Sequence, residues 1–494
     1  MTNAMTRRTA LRGLVAGAVL AGWSATDQSW VTAAQAGPRG SGYKPLPRLD
    51  GRLELSRSAG FSKDYGNLVT AAPYAVLRPG SVEDIAKMIR YARQNKLKIA
   101  MNGQSGSVEE DFESHSNYGQ ALVNGGIAID SRGLSRIHSI GSSSAVVDTG
   151  VTWAQLTDAA IAQGRTPVGL TDYMHLTVGG TISIGGIGGT VQKHGLLCDV
   201  VEEIQIVTGT GDIVTASLRE RPQLFLAALA GGGQVGIITR AKVKLAPAPA
   251  RAKVMLLFYN DLNTYLSDQE KVLADGRFSH QEGEIVRRPD DSGWRYKIEA
   301  VSYYTGAAPD QNKLLAGLRD DRASAQFDDL PYRDWVFRLD AFEAFLKAEN
   351  IWDEPKPWLS LVLPASKVRT FVNQLLPELR TADLGAGICG LYPFKTSKLT
   401  RPLFVLPNEP VVYLFDLLRF PFPGDDIPGQ LVQNRRLYDR GVALGAKRYI
   451  VGAVPNVTKA DWKRHFGSLY EPFALAKRTY DPDNVLTPGQ GFFG

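Results

Sequence analysis

A chain of 494 residues exceeds what one hydrophobic core usually serves, so the sequence predicts two domains. Hydrophobic residues at 44% and charged residues at 21% are those of a soluble globular protein, and a net charge of +6 without a long Lys/Arg run excludes a nucleic-acid footprint. Cys198 and Cys389, one in each half, are free to pair but nothing requires it, and no Cys/His cluster at metal spacing exists, so no metal site is expected.

The N-terminus reads as a targeting segment. Arg7-Arg8 precede an apolar run from Gly13 to Trp23, shorter than the roughly 20 residues a bilayer span needs. Ala34-Gln35-Ala36 is a small-x-small cleavage site. Residues 1–36 are therefore expected to be a twin-arginine export signal, and the mature protein to be secreted or periplasmic with no integral membrane segment.

Residues 74–102 predict strand, turn, helix and strand. Tyr74 to Leu77 is apolar, Arg78-Pro79-Gly80 breaks it, and Ser81 caps a helix with Asp84 three residues on. Val82, Ile85, Ile89 and Ala92 share one helical face, and Lys98 to Met101 forms a strand that enters a glycine-bearing loop. Strands are expected at Gly125–Asp130 and Ala145–Val147, then a helix capped by Thr152 running through Gly164. The densest glycine region spans 178–189. Glu203–Thr208 and Ile213–Thr215 form a hairpin around Gly209-Thr210-Gly211-Asp212, Leu224–Leu229 a short helix, and Val235–Leu245 a long strand. Composition shifts at Ala246-Pro247-Ala248-Pro249-Ala250, which marks a domain boundary.

Three glycine-rich stretches suit a large nucleotide cofactor: Asn102-Gly103-Gln104-Ser105-Gly106-Ser107, the 178–189 segment, and Gly231 to Gly236. A pyrophosphate needs several backbone N–H groups at close range, and glycine removes the Cβ that would block the approach. The spacing is not the Rossmann fingerprint, and a glycine-packed turn explains segment 178–189 equally well. Asp172 precedes that segment by a few residues, either serving the site or satisfying a turn. Glu299 alternates with apolar neighbours, as on a strand with one solvated face. The six histidines are scattered, so no nucleophile–His–Asp arrangement is expected; His194 and His465 read as structural.

Taken together the chain resembles one family, the cytokinin dehydrogenases, within the FAD enzymes that carry a vanillyl-alcohol-oxidase (PCMH) type domain. The resemblance rests on Arg78-Pro79-Gly80-Ser81, His115-Ser116 with Gly119-Gln120-Ala121, Thr171-Asp172-Tyr173, and Leu176-Thr177-Val178-Gly179-Gly180-Thr181. It continues through Gly233-Gln234-Val235-Gly236-Ile237, Ile298-Glu299-Ala300, Pro357-Trp358-Leu359, Gln433-Asn434-Arg435-Arg436 and Pro488-Gly489-Gln490, nearly the whole mature chain. It implies an α+β fold: an FAD domain at 44–246, a substrate domain at 247–475 and a return to the FAD domain at 476–494. It implies FAD bound by residues 102–107, His115, Ser116, Gln120, Thr171, Asp172, Thr177, Gly179, Gly180, Ser183, Gly185, Gly188, Ile237 and Gln490. It gives Asp172 the role of base near the flavin, and has Glu299 and Trp358 line the substrate site.

The resemblance implies oxidation of an allylic amine C–N bond to an imine that hydrolyses to aldehyde and amine, adenine in the case of N6-isoprenoid cytokinins, with a quinone or oxygen as electron acceptor. Another small amine or alcohol on the same scaffold, or a binding protein without catalysis, are the alternatives. In such a mechanism Glu299 would supply a like charge to Asp172, the two sharing a proton. One departure stands out. The family's Gly-His-Ser loop after the strand, whose His is bonded to the flavin, is replaced by Gly103-Gln104-Ser105, and His-Ser appears only at His115 after an acidic insertion. Either His115 is the linkage residue on a lengthened loop, or the 103–107 loop holds FAD without a bond.

Overall fold

The computed structural model describes residues 20–33, 35–36, 42–55, 59–103, 113–116, 118–290 and 292–493. Strand Ala75–Arg78 ends at Pro79-Gly80, and Ser81 caps helix Val82–Asn95 by accepting a hydrogen bond from the Asp84 N–H. Asp84 does not close a capping box. Its carboxylate instead accepts from the N–H groups of Asp50, Gly51 and Gly80 at 2.9, 2.7 and 2.9 Å, tying the preceding segment to the helix start. Ile85, Met88, Ile89 and Ala92 bury completely. The sheet runs Arg52–Glu54, Ala75–Arg78, Ile127–Asp130, Ile99–Asn102, with its last two pairings parallel. Within the segment read as an export signal, Leu20–Ser24 pairs with both Ser29–Thr32 and Tyr43–Pro45. Trp23, 2% exposed, packs on Trp30 and Tyr74 and donates its N–H to Tyr91 Oη at 2.8 Å. Cleavage after Ala36 would strip these two strands from the unit.

A second, antiparallel sheet carries Ile213–Ser217, Val201–Thr208, Gly236–Pro247, Ser144–Asp148 and Ile137–Ile140, with Arg165–Pro167 paired to the end of the long strand. Helix Trp153–Ile161 starts in a full capping box between Thr152 and Gln155 and stops short of the expected Gly164. The glycine-rich segment is a short helix, Val178–Ile184, capped by Thr177, then a turn in which Gly185 and Gly186 take φ of 114° and 74°.

The third layer is an eight-stranded sheet in the order Gln326–Pro331, Arg251–Tyr259, Trp294–Tyr304, His280–Arg287, Ile388–Lys395, Val411–Leu418, Leu359–Pro364, Lys447–Arg448. Strand alternation divides its two faces. On Trp294–Tyr304, Tyr296, Ile298 and Ala300 join the core under helices Leu262–Asp275, Ala365–Leu375 and Ile427–Ala443. Lys297 and Glu299 consequently face the other way, toward the first two sheets. Toward the C-terminus Trp462, Phe466, Tyr470 and Phe473 pack around Phe492 in an apolar cluster that takes in Phe225 of the second sheet's layer and Val301, Val362 and Phe394 of the eight-stranded sheet. Helices Lys459–Phe466 and Tyr470–Tyr480 lead into the expected return at 476. Cys198 and Cys389 are buried free thiols. Among the described residues no helix is long and apolar enough to cross a membrane.

Candidate active site

Between the FAD-domain sheets and the eight-stranded sheet lies a cavity of about 630 Å³. Of the residues singled out from the sequence, Gly103, His115, Ser116, Gln120, Thr171, Asp172, Thr177, Gly179, Gly180, Ser183 and Ile237 line it from one side, and Glu299 and Trp358 from the other. Asn102, Gly185, Gly188 and Gln490 do not. Asn102 is buried at its strand end, opposite Asp130. A Cβ on Gly185 would lie 2.7 Å from Phe404, and one on Gly188 2.4 Å from the Leu170 carbonyl, so these two glycines permit close packing while Gly186 and Ile187 form the wall. Gln490 donates to the Ile450 carbonyl at 3.3 Å, a tie within the protein. Gln104, Ser105, Gly106 and Ser107 lie outside the described residues.

The first half of the wall is backbone and hydroxyl. Among the described residues its own acid is Asp172, and Glu343 reaches in beside it to accept from the Tyr173 hydroxyl at 2.7 Å; the rest is glycine, apolar groups and neutral polar side chains such as Ser116, Ser131, Thr149, Thr177, Ser183 and Thr487. A Cβ on Gly180 would meet only Thr177 Oγ1 at 3.1 Å and Gly103 Cα at 4.0 Å, so it would project into this half of the cavity. Gly232 and Gly233 hold φ of 62° and 72° in consecutive positions, which only glycine takes without strain, and bring bare backbone to the same wall. A cradle lined mainly by glycine and hydroxyls fits an anionic dinucleotide. The residues present therefore fit FAD, with the Thr177–Gly180 turn, Ser183 and the Gly232-Gly233 backbone as its holders.

An aromatic group closes the cavity beside this cradle. His115 stacks on Tyr65 with ring centroids 3.8 Å apart and lies 5.4 Å from Tyr173. Lys356 is fully buried beneath, 4.4 Å from the Tyr65 ring, and donates to the Tyr65, Trp352 and Glu354 carbonyls. Burial, aided by the Lys356 charge, pushes His115 down to about 3, so its imidazole is neutral.

The opposite half is charged. Arg338, between helices Tyr332–Val336 and Asp340–Ala348, reaches in over the Trp335 ring at 4.2 Å. Its Nη2 donates to Asp172 Oδ1 at 2.9 Å and to Glu299 Oε1 at 3.3 Å, and lies 3.9 Å from Glu282 Oε2. His280 Nε2 is 3.3 Å from Glu299 Oε1. Burial opposes the Arg338 charge, but Glu299, Asp172 and Glu282 outweigh it and hold the guanidinium charged. Burial likewise pushes Glu299 up, while Arg338, His280 and Lys297 hold it below its ordinary value. Glu282 goes the other way: burial, then the charges of Asp172 and Glu299, raise it well above the carboxylate range. Arg338 stands between Asp172 and Glu299, and burial together with the neighbouring carboxylates favours the protonated form of Glu282. Ligand atoms of Asp172, His280 and Glu282 lie within 4.8 Å of one another, but the Arg338 guanidinium among them opposes a cation.

Arg338, Glu282, Lys297, Tyr65 and Trp352 also line the cavity and were not singled out from the sequence. Glu282 had a signal, since Glu282 and Glu284 alternate with Gly283 and Ile285 as on a two-faced strand. Arg338 had none, because its partners are 39 and 166 residues away.

Comparison with known proteins agrees with this geometry. Residues 287–493 match the family model described as "Cytokinin dehydrogenase 1, FAD and cytokinin binding", and residues 73–217 match "FAD binding domain". An uncharacterised oxidoreductase of the fasciation locus of Rhodococcoides fascians is 34% identical, covering 86% of this chain and 95% of that protein. Cytokinin dehydrogenase 4 of Oryza sativa subsp. japonica is 31% identical over 90% of both proteins. Cytokinin dehydrogenase 1 of Arabidopsis thaliana is 31% identical over 90% of this chain and 83% of its own length.

Proposed function

The chain belongs to the cytokinin dehydrogenase family of FAD-dependent oxidoreductases, and from that premise we propose that it oxidises the bond between N6 and the isoprenoid carbon of an N6-isoprenoid adenine. The observation that carries this reading is the position of Asp172 at the seam between the glycine-lined half and the charged half, held there by Arg338. When bound, FAD supplies the two-electron acceptor. Asp172 takes the proton from the substrate nitrogen as the adjacent carbon gives up a hydride, and a C=N bond forms. Arg338 orients Asp172 and compensates Glu299. The imine then adds water and separates into an aldehyde and adenine.

Three finer points belong to the same reading. His115, neutral and stacked at the cradle, is the residue to which FAD is bonded; a neutral ring keeps the lone pair that a protonated ring lacks. A quinone or oxygen reoxidises the cofactor. Arg7-Arg8, the short apolar run and Ala34-Gln35-Ala36 support export by the twin-arginine route. Anaerobic mixing of the FAD-loaded protein with N6-isopentenyladenine tests the central point. Bleaching of the flavin with adenine as product is expected; bleaching by other amines but not by this one would overturn it.

A further inference from the structure

Strand register assembles a row of side chains across the cavity face of the eight-stranded sheet: Lys297, Glu284, Gly390, Asp416 and Ser360 lie opposite one another in turn. Lys297 pairs with Glu284 at 2.7 Å, so those charges cancel. Gly390 adds no side chain. A Cβ there would sit 3.3 Å from Asp416 Cβ, so any larger residue would crowd the Asp416 side chain. Asp416 lines the cavity, and across the strand pair its carboxyl faces the Ser360 hydroxyl. A single hydroxyl leaves a carboxyl with further acceptor positions, and because Asp416 reaches the cavity wall a donor that enters the cavity can meet them.

The spacing says what. Two strand separations put Asp416 roughly 10 Å from Glu284 across the bare Gly390, about the width of a fused bicyclic ring. One row deeper, Glu282 and Glu299 meet Arg338 and, through it, Asp172. Toward the mouth the face becomes apolar, with Ile388, Leu418 and Phe420. A ligand that fits both rows is planar, carries a nitrogen at the Asp172 end and offers a second donor one row away.

We propose that Asp416 is a specificity-determining residue of the substrate site, accepting a hydrogen bond from a ring N–H of a planar nitrogen heterocycle whose reacting nitrogen is held by Asp172. The inference rests on the reading of this cavity as an adenine-type substrate site and adds the residue that reads the ring's far edge. Burial lifts Asp416 to about 7, with Ser360 opposing and the Asp172 charge contributing, so its ionised form is accessible near neutral pH for this bond.

The test is equilibrium binding to the FAD-loaded full-length protein, read by perturbation of the flavin spectrum. The probes are N6-isopentenyladenine and its 9-methyl derivative, which lacks the ring N–H. The wild type is expected to prefer the free N–H by about tenfold or more, the size of a hydrogen bond to a charged acceptor. Asp416→Leu should lose that preference, and Asp416→Asn, which keeps an acceptor oxygen, should retain part of it, with unchanged thermal unfolding showing that both variants fold. A preference that persists in Asp416→Leu, or none in the wild type, would overturn the assignment. Binding with the expected preference but without flavin bleaching would remove the proposed reaction and leave Asp416 in its role. Binding of neither probe would remove both.

Discussion

The two halves of the cavity solve opposite electrostatic problems. The cofactor half must hold an anion, and among the described residues its wall is mainly backbone and hydroxyl: Gly180, Gly232 and Gly233 bring backbone to it and Thr177, Ser183 and Thr487 bring hydroxyls, with Asp172 and Glu343 at its margin. The substrate half must hold and move a proton, and it gathers Glu282, Glu284, Glu299 and Asp416 against Lys297 and Arg338. Asp172 belongs to the first half by chain position and to the second by contact, through Arg338 at 2.9 Å. Substrate chemistry is thereby placed at the boundary, where a base can face a bound cofactor without lining its phosphates with carboxylates.

Substitutions on either side of that boundary sharpen the contrast. Asp172→Asn should slow anaerobic flavin reduction by the 10²–10⁴-fold typical of a lost general base, measured by rapid mixing with a verified substrate; reduction at the wild-type rate would remove Asp172 from the mechanism. Arg338→Met leaves Asp172 and Glu299 facing each other without their cation, and should lose about 3 kcal/mol of folding stability by denaturant titration. A variant as stable as the wild type would show that the carboxylates relax apart.

Glu282 offers a pH signature. Its pKa is raised in the folded protein, so the native state binds more protons than the unfolded one above the ordinary carboxylate value, and stability falls as pH rises through that window. Glu282→Gln should remove a slope of up to about 1.4 kcal/mol per pH unit and be the more stable protein near neutrality. Equal pH dependence of melting in both proteins would place the retained proton elsewhere. Glu299 has the opposite sign: held low by Arg338 and His280, it contributes stability that is present above its unfolded pKa and lost as pH falls through its folded one. Glu299→Gln should lower turnover less than tenfold and mainly move the acid limb of the pH profile, within the range that separates a supporting carboxylate from a base.

What was legible in the sequence was local. The Ser81 cap, the Thr152–Gln155 start and the alternation that turns Glu299 away from Ile298 follow from neighbours a few residues apart. Arg338 was not legible because its partners lie 39 and 166 residues away, and Asp416 because its meaning comes from strand order: His280–Arg287 pairs with Ile388–Lys395, about a hundred residues on, and only that pairing aligns Glu284, Gly390 and Asp416. The apolar run ending at Trp23 shows the limit of composition from the other side. A leader's apolar stretch and a strand look alike in composition, and here Leu20–Ser24 lies between Ser29–Thr32 and Tyr43–Pro45.

The division of labour between the two halves is tested most directly by the flavin content of two purified variants, read as flavin absorbance per protein molecule. Gly180→Leu projects a side chain into the cradle, whereas Asp172→Asn changes the proton-handling group at the seam without adding bulk. Gly180→Leu should fold yet carry little FAD, while Asp172→Asn should carry as much as the wild type. Full flavin in Gly180→Leu, or its loss from Asp172→Asn, would contradict the assignment of cofactor and chemistry to separate halves of one cavity.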